Sequence, residues 1–249
     1  MKISVVTVAF NAAGTVAQTL DSVIAQTHPE IEHIVVDGGS TDGTPEIVSR
    51  YGNQVARFIS EPDNGIYDAM NKGVALATGE VIGFLNADDM YAHDRVIEMV
   101  ASRMQQGDLD ALYGDVAYFR SENPRRLVRR YRSAHFRPSR IGWGWMPAHP
   151  ALFLHRCVFE SSGPFRTDYR IAGDFEFVAR VFHADQLCYR YLPEVLVQMR
   201  IGGVSTGGWR NTLLLNQEVL RACRENDIRS NALMLLSKYP LKFLELFRA

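Results

Sequence analysis

The 249 residues lie between the usual sizes of one and two domains. With 47% hydrophobic and 22% charged residues they can bury one large core, which excludes wholesale disorder. Lys and Arg total 27 against 28 Asp and Glu, and the formal net charge of -1 excludes a protein whose main task is coating nucleic acid. The three cysteines, Cys157, Cys188 and Cys223, are odd in number and lack CxxC spacing, so neither a disulfide framework nor a cysteine zinc site is expected. A reducing cytosol is the natural compartment.

The N-terminal MKISVVTVAFNAAG has an apolar stretch too short, too β-branched and too soon followed by Asn and Gly for a signal peptide. It reads as a first strand from Ile3 to Ala9, buried on both faces in a parallel sheet. No run approaches the roughly 18 apolar residues that span a bilayer, so the chain is expected to be soluble or at most to lie on a membrane surface. Val16, Leu20, Val23 and Ile24 then share one helical face, and Pro29 closes that segment. HIVVD makes a second strand ending at Asp37. GGSTDGTPE follows, with Thr44 as N-cap and Pro45 at the first helical position. VARFIS is a third strand, Tyr67 to Ala77 a helix ending near Gly79, and VIGFL a fourth buried strand; a further helix begins near His93. Four strand-then-helix units within residues 1–106 predict a Rossmann-like, mostly parallel α/β sheet flanked by helices, with ligands beyond the carboxyl ends of its strands. After Tyr113 the pattern is less regular, and this half is expected to cover the cleft. DFEFVARVFHA resumes helical spacing, and 208–249 reads as two terminal helices. A single domain over 1–249 is expected.

Asp37 and the Asn86-Ala87-Asp88-Asp89 cluster both fall at strand carboxyl ends, so acids distant in sequence should meet in one cleft. Adjacent carboxylates repel unless a cation neutralises them, and oxygen ligands favour Mg²⁺ or Mn²⁺ completed by substrate phosphates. The plainer alternative is that Asp88 and Asp89 cap the next helix. Neither GxGxxG nor GxxxxGK[ST] is present, so a nucleotide must be held differently. A carboxylate at Asp37 could accept from a base N–H or a ribose hydroxyl, or it and Asp42 could simply make Asx turns.

SVVTVAFNAAGTVAQTLDSVIAQ, VVDGGSTDGT, SEPDNGIYDAMNKGVALATGEVIGFLNADD and AGDFEF together resemble the family 2 glycosyltransferases of the A-type fold, over about 210 residues. SEPDNGIYDAMNKG and GGVST are similar to a subgroup acting in polysaccharide and glycolipid assembly. The resemblance implies an inverting, metal-dependent transfer of a sugar from a nucleotide diphosphate sugar to a glycan or glycolipid hydroxyl. It divides the chain into a donor-binding half (1–106), an acceptor and catalytic half (107–207) and C-terminal helices (208–249). It implies donor contacts at Thr7, Ala9, Asn11, Asp37, Asp68, Lys72, Asn86 and Asp88, with Mn²⁺ or Mg²⁺ at Asp88 and Asp89. Lys72 stands in for the Arg that many relatives carry where this chain has Met70. Asn86 occupies the first position of the acidic motif, which moves the metal role onto Asp88 and Asp89.

The resemblance makes Asp174 the general base, although a residue opening DFEFVARVFH is also an ordinary N-cap. Glu176 and His149 are the accessory residues, His149 as an acceptor contact or metal ligand. Eight arginines between Arg120 and Arg140 face one acid, Glu122. This stretch reads as a contact for anionic lipid or a lipid-linked diphosphate, or as a solvated loop. The C-terminal SKYPLKFLELFRA could dock on a bilayer or pack on the domain. A cytoplasmic protein, peripheral on the inner face of the membrane, is the expectation. A nucleotidyltransferase would need a Gly-rich basic first loop, which is absent, and a non-catalytic scaffold would not need Asp37, Asp88, Asp89 and Asp174 intact.

Overall fold

The computed structural model describes residues 1–120, 123–183, 187–201 and 208–237, with backbone alone at 120 and 123–126. The GGVST block, the side chains of Arg120, Arg125 and Arg126, and the chain beyond Ser237 lie outside the described residues. The elements are β1 (Ile3–Ala9), α1 (Val16–Ile24), β2 (Ile31–Asp37), α2 (Thr44–Ser49), β3 (Arg57–Ser60), α3 (Ile66–Leu76), β4 (Val81–Phe84), β5 (Met90–Tyr91) and α4 (Val96–Gly107). They continue with β6 (Ala111–Arg120), β7 (Asn123–Tyr131), β8 (Leu152–His155), α5 (Arg156–Ser162), α6 (Gly173–His183), β9 (Tyr189–Arg200) and α7 (Trp209–Glu225). A last helical turn covers 232–237.

β1 is buried at every position because helices cover both faces, and it pairs in parallel with β2 and β4. β3 extends this parallel half beyond β2. The parallel pattern stops there. β8 joins β4 antiparallel, β6 runs antiparallel to β8 and β7, and β9 returns parallel to β6. The described strands make one sheet in the order β3-β2-β1-β4-β8-β6-β9-β5, with β7 on β6. Five residues of chain separate β4 from β5, yet β5 pairs with β9 at the far end of that order. The sheet must therefore curl, and the segment 85–89 bridges the curl directly beyond β4.

α3 lies against β1 because Gly73 has no side chain: a Cβ there would come within 2.2 Å of Val6 Cγ1. α1 buries Val16, Thr19, Leu20 and Val23, while Ile24 is exposed. Gly43, at φ 94°, is the N-cap of α2 in place of Thr44. A left-handed backbone there suits glycine, and Thr44 becomes the first helical residue with its hydroxyl donating to Asp42 Oδ1. The helix expected near His93 begins at Val96. α6 buries Phe175, Phe177, Val178 and Phe182; Phe177 meets Phe165 at 4.4 Å and Phe159 at 5.2 Å between ring centroids. Each such ring contributes about 1.5–3 kcal/mol by burial. That aromatic cluster also holds Phe84, the last residue of β4, and so seats α6 beside the strand's carboxyl end.

Candidate active site

The loops after β1 and β2 are latched to each other by short polar side chains. Asn11, at φ 48°, accepts from Thr41 N at its Oδ1 and donates its own backbone N–H to Ser40 Oγ. Asp42 accepts from Ala13 N and Thr44 N, and Thr44 Oγ1 accepts from Ala12 N. Asp37 is fully buried; Gly39 N, Ser40 N and the hydroxyls of Ser40 and Ser60 all donate to its carboxylate. Its charge thus organises the loop that borders the cleft. Asp42 makes the Asx turn that was the simpler reading of that residue.

Several expected donor contacts are already engaged within the protein. Thr7 is fully buried in β1 with its hydroxyl 3.0 Å from His33 Nε2, and Ala9 is buried above it. Burial lowers the His33 pKa to about 3, so the ring is neutral and the pair is structural. Lys72 sits 2.7 Å from Glu61, 3.9 Å from Asp68 and donates to Pro62 O. Its charge is answered inside its own loop, because the turn of EPDNG folds Glu61 back over α3. Asp68 accepts from Asn64 N and fixes the same turn.

The acidic segment 86–89 departs from the end of β4. Asp89 is 1% exposed, with Oδ1 accepting from the backbone N–H of Arg200 in β9 and Oδ2 near Asn86 Nδ2. Burial, then the neighbouring Asp88 charge, push its carboxyl well above the usual range. Asp88 is half-buried and raised by burial, which the Arg200 charge partly offsets. Neither acid caps α4, which starts at Val96 with Arg95 as N-cap. Asn86 Oδ1 is buried without a partner among the described residues. Two strained carboxylates beside an orphaned amide oxygen form a hard oxygen donor set short of positive charge, which fits Mg²⁺ or Mn²⁺. Among the described residues no group of three or more His, Cys, Asp and Glu encloses a metal, so substrate oxygens would complete the shell.

Asp174 opens α6 and is partly exposed. Its Oδ1 accepts from Phe175 N at 2.8 Å and lies 3.5 Å from the Tyr67 hydroxyl, which also donates to Ile171 O at 2.6 Å. Gly173 permits this closeness, since a Cβ there would lie 2.7 Å from the Tyr67 ring. Burial raises the Asp174 carboxyl, and the hydrogen bond it accepts from Phe175 N opposes that rise. His149 stacks on Phe84 at 5.3 Å and meets the edge of Phe165 at 5.9 Å. Burial lowers its pKa more than Asp174 raises it, so it is neutral at neutral pH. Tyr67 is pushed well above the ordinary phenol range by burial and then by the Asp174 charge, and remains a donor. Asp174 and His149 therefore meet beside the strand end from which Asp88 and Asp89 depart. Glu176 does not join them: it is buried against Arg180 at 3.0 Å.

Two participants escaped the sequence reading. Tyr67 was legible only as a helical position in NGIYDAMNKG. Arg200 lies 111 positions from Asp89; its Nη2 donates to Gln18 Oε1, its guanidinium sits 5.0 Å over Phe119, and its Nε is buried without a partner among the described residues. Within the basic stretch, four of the described arginines have partners inside the protein. Arg130 is paired with the fully buried Asp115 at 2.7 Å, Arg129 stacks 4.8 Å over Tyr118, and Arg137 and Arg140 donate to backbone carbonyls. Leu127 and Val128 beside them are exposed on β7. No helix among the described residues is long and apolar enough to cross a membrane.

The sequence profile of "Glycosyl transferase family 2" matches residues 4–162. A Mycobacterium bovis "PGL/p-HBAD biosynthesis glycosyltransferase" is 34% identical over 215 residues, 85% of this chain and 80% of that one. An "Uncharacterized glycosyltransferase" of Mycobacterium tuberculosis is 35% identical over 182 residues, covering 72% and 68%. Among solved structures, S. aureus TarS 1-349 in complex with UDP-GlcNAc superposes with TM-score 0.70 at 17% identity, over 92% of this chain and 68% of that one. The mannosyltransferase PcManGT from Pyrobaculum calidifontis, in complex with GDP-Man and Mn²⁺, gives 0.64 at 20% identity over 88% and 64%. The low identities make these two a likeness of fold, and the profile and the mycobacterial relatives carry the assignment. This chain belongs to glycosyltransferase family 2.

Proposed function

We propose that the enzyme is an inverting glycosyltransferase that moves a sugar from a nucleotide diphosphate sugar to a hydroxyl of a glycan or glycolipid. The observation that carries this reading is the meeting of Asp174, His149 and Tyr67 beside the end of β4, where Asp88 and Asp89 depart. The acceptor oxygen attacks the anomeric carbon, the bond from that carbon to the diphosphate oxygen breaks, and the electron pair leaves with the nucleoside diphosphate. Asp174 takes the acceptor's proton; its raised pKa makes it a stronger base than an exposed aspartate. A single displacement inverts the anomeric centre. Asp88, with Asp89 behind it, would hold Mn²⁺ or Mg²⁺, which supplies positive charge for the departing diphosphate. The partly unpaired Arg200 guanidinium supports a second positive contact there, replacing Lys72.

The UDP-GlcNAc and GDP-Man complexes of the structural neighbours support a nucleotide-sugar donor, and the Mn²⁺ of one supports the metal. The PGL/p-HBAD biosynthesis in the mycobacterial relatives' name supports a glycan or lipid-linked acceptor. With it goes a working place in the cytoplasm, peripheral on the inner face of the membrane. Release of UDP from UDP-GlcNAc and of GDP from GDP-mannose, measured with and without Mn²⁺, tests the reading. Metal-stimulated release that Asp174→Asn abolishes is expected. Undiminished release by that variant would remove Asp174 as base, and metal-independent release would remove the cation.

A further inference from the structure

The C-terminal helix α7 contributes one acid to the interior beside the site. Glu218 is buried, and its carboxylate accepts three consecutive backbone N–H groups: Arg170 N at 2.8 Å on Oε1, and Ile171 N at 2.9 Å and Ala172 N at 2.8 Å on Oε2. These are the last residues before α6. Ala172 begins the helix by accepting from Glu176 N, and Asp174 follows two positions later. The Ile171 carbonyl, fixed between two of those N–H groups, takes the one proton of the Tyr67 hydroxyl at 2.6 Å and holds that oxygen 3.5 Å from Asp174 Oδ1. A carboxylate on three N–H groups is a charge-assisted clamp, stronger and more directional than neutral hydrogen bonds. Nothing in the packing of α7 on α6 requires it, because Val219, Ala222 and Cys223 already bury that helix face.

We propose that Glu218 is a positioning residue, which sets the orientation of Asp174 by clamping residues 170–172 and, through Ile171, the Tyr67 hydroxyl. This rests on the reading of Asp174 as the general base. Glu218 and Asp174 both lie beyond the residues 4–162 that the family profile matches, so the base and its support come from the same C-terminal part of the chain. The groups facing Asp174 from packed elements are then His149 from the turn before β8, Tyr67 from α3 and, through the clamped loop, Glu218 from α7.

Glu218→Gln tests the clamp. The amide keeps the size but presents an N–H₂ to backbone donors, so at least one of the three N–H groups loses its acceptor. Two readouts separate positioning from support. The first is the ¹³C-carboxyl titration of Asp174, assigned by its disappearance in Asp174→Asn, which needs no substrate. The midpoint should fall by about half a pH unit or more, because a buried negative charge is removed and the loop opens to water. The second is turnover of UDP-GlcNAc or GDP-mannose: kcat should fall about tenfold or more while the donor KM stays within about twofold, the signature of a lost transition-state interaction. An unchanged or raised midpoint, even with a lower melting temperature, overturns the proposal, as does an unchanged kcat. If Glu218→Gln fails to fold, Tyr67→Phe breaks the same relay from the other end and is read by the same titration, where no change in the midpoint again overturns the proposal. The base reading fails separately, by near-wild-type turnover in Asp174→Asn.

Discussion

The two halves of this molecule hold their functional carboxylates in different ways. In the first half, β1 to β4 are parallel and the acids near the cleft answer to groups about 30 residues away or nearer: Asp37 to Ser40 and Ser60, Asp42 to Ala13 and Thr44. In the second half, partners also come from further off: Asp115 adds Tyr191, 76 positions on, to the nearer Arg130 and Ser133 N, and Glu218 binds the loop before Asp174, 46 residues back. The difference teaches that the strand-end loops of the parallel half are held by groups close in sequence, while the segment that carries Asp174 depends on a helix that packs on it later in the chain. Asp89, bound to Arg200 N, is one of the places where the two halves join.

The comparison breaks first at Asp174. Asp174→Asn should lower turnover about 10²–10⁴-fold while nucleotide affinity and melting temperature stay near wild type, since Asn keeps the side chain's size and its amide oxygen can still accept from Phe175 N. Loss of nucleotide affinity together with turnover would move Asp174 into the donor site. Next is Asp115→Ala, which strands Ser133 N and the Tyr191 hydroxyl and leaves the partly exposed Arg130 with only the Pro193 carbonyl. Chemical denaturation should show a loss of about 3 kcal/mol or more. A loss below about 1 kcal/mol would mean that the second half does not lean on its long-range acids. Asp89→Asn should weaken Mn²⁺-dependent UDP or GDP binding about 10–100-fold in calorimetry, by analogy with residues that support metal ligands, yet leave the metal-free melting temperature unchanged or higher. A variant that melts lower but binds nucleotide normally would make Asp89 a structural residue only.

The last test sharpens the first half. Burial opposes the charge of Glu32, but Ser4, Thr78 and Lys2 outweigh it and bring its pKa to about 2, from 4.5 in the unfolded chain. A depressed acid stabilises the fold above its unfolded pKa, and that contribution is lost as pH falls from about 4.5 toward about 2, at no more than about 1.4 kcal/mol per pH unit. Glu32→Gln should flatten this limb of an acid denaturation curve. An unchanged limb would place the acid sensitivity elsewhere.

The elements of the first half were legible because their signals are local. The β-branched run of Ile3–Ala9, the 3.6-residue spacing of α1 and the Gly and Pro turn residues each act within a few positions, and the strand ends follow from them. The second half was not legible to the same degree. β6 to β9 mix parallel and antiparallel neighbours, and nothing in HPALFLHR says that its strand will lie between β4 and β6. Counting the charges of the arginine-rich stretch likewise could not reveal that Asp115 and Tyr118 engage Arg130 and Arg129.

What the sequence by itself determined is the family, the parallel half and the candidate acids Asp37, Asp88, Asp89 and Asp174, because ordered motifs and side-chain periodicity are properties of the chain alone. Only the tertiary structure decided which partners those side chains take. Asp37 spends both oxygens on its own loop, Lys72 is neutralised by Glu61, and Asp174 keeps an open edge beside Tyr67 and His149. The physical reason is that a side chain's chemistry depends on which hydrogen-bond and charge partners reach it in the folded state. Here the decisive ones, Arg200 and Glu218, arrive from 111 and about 45 residues away.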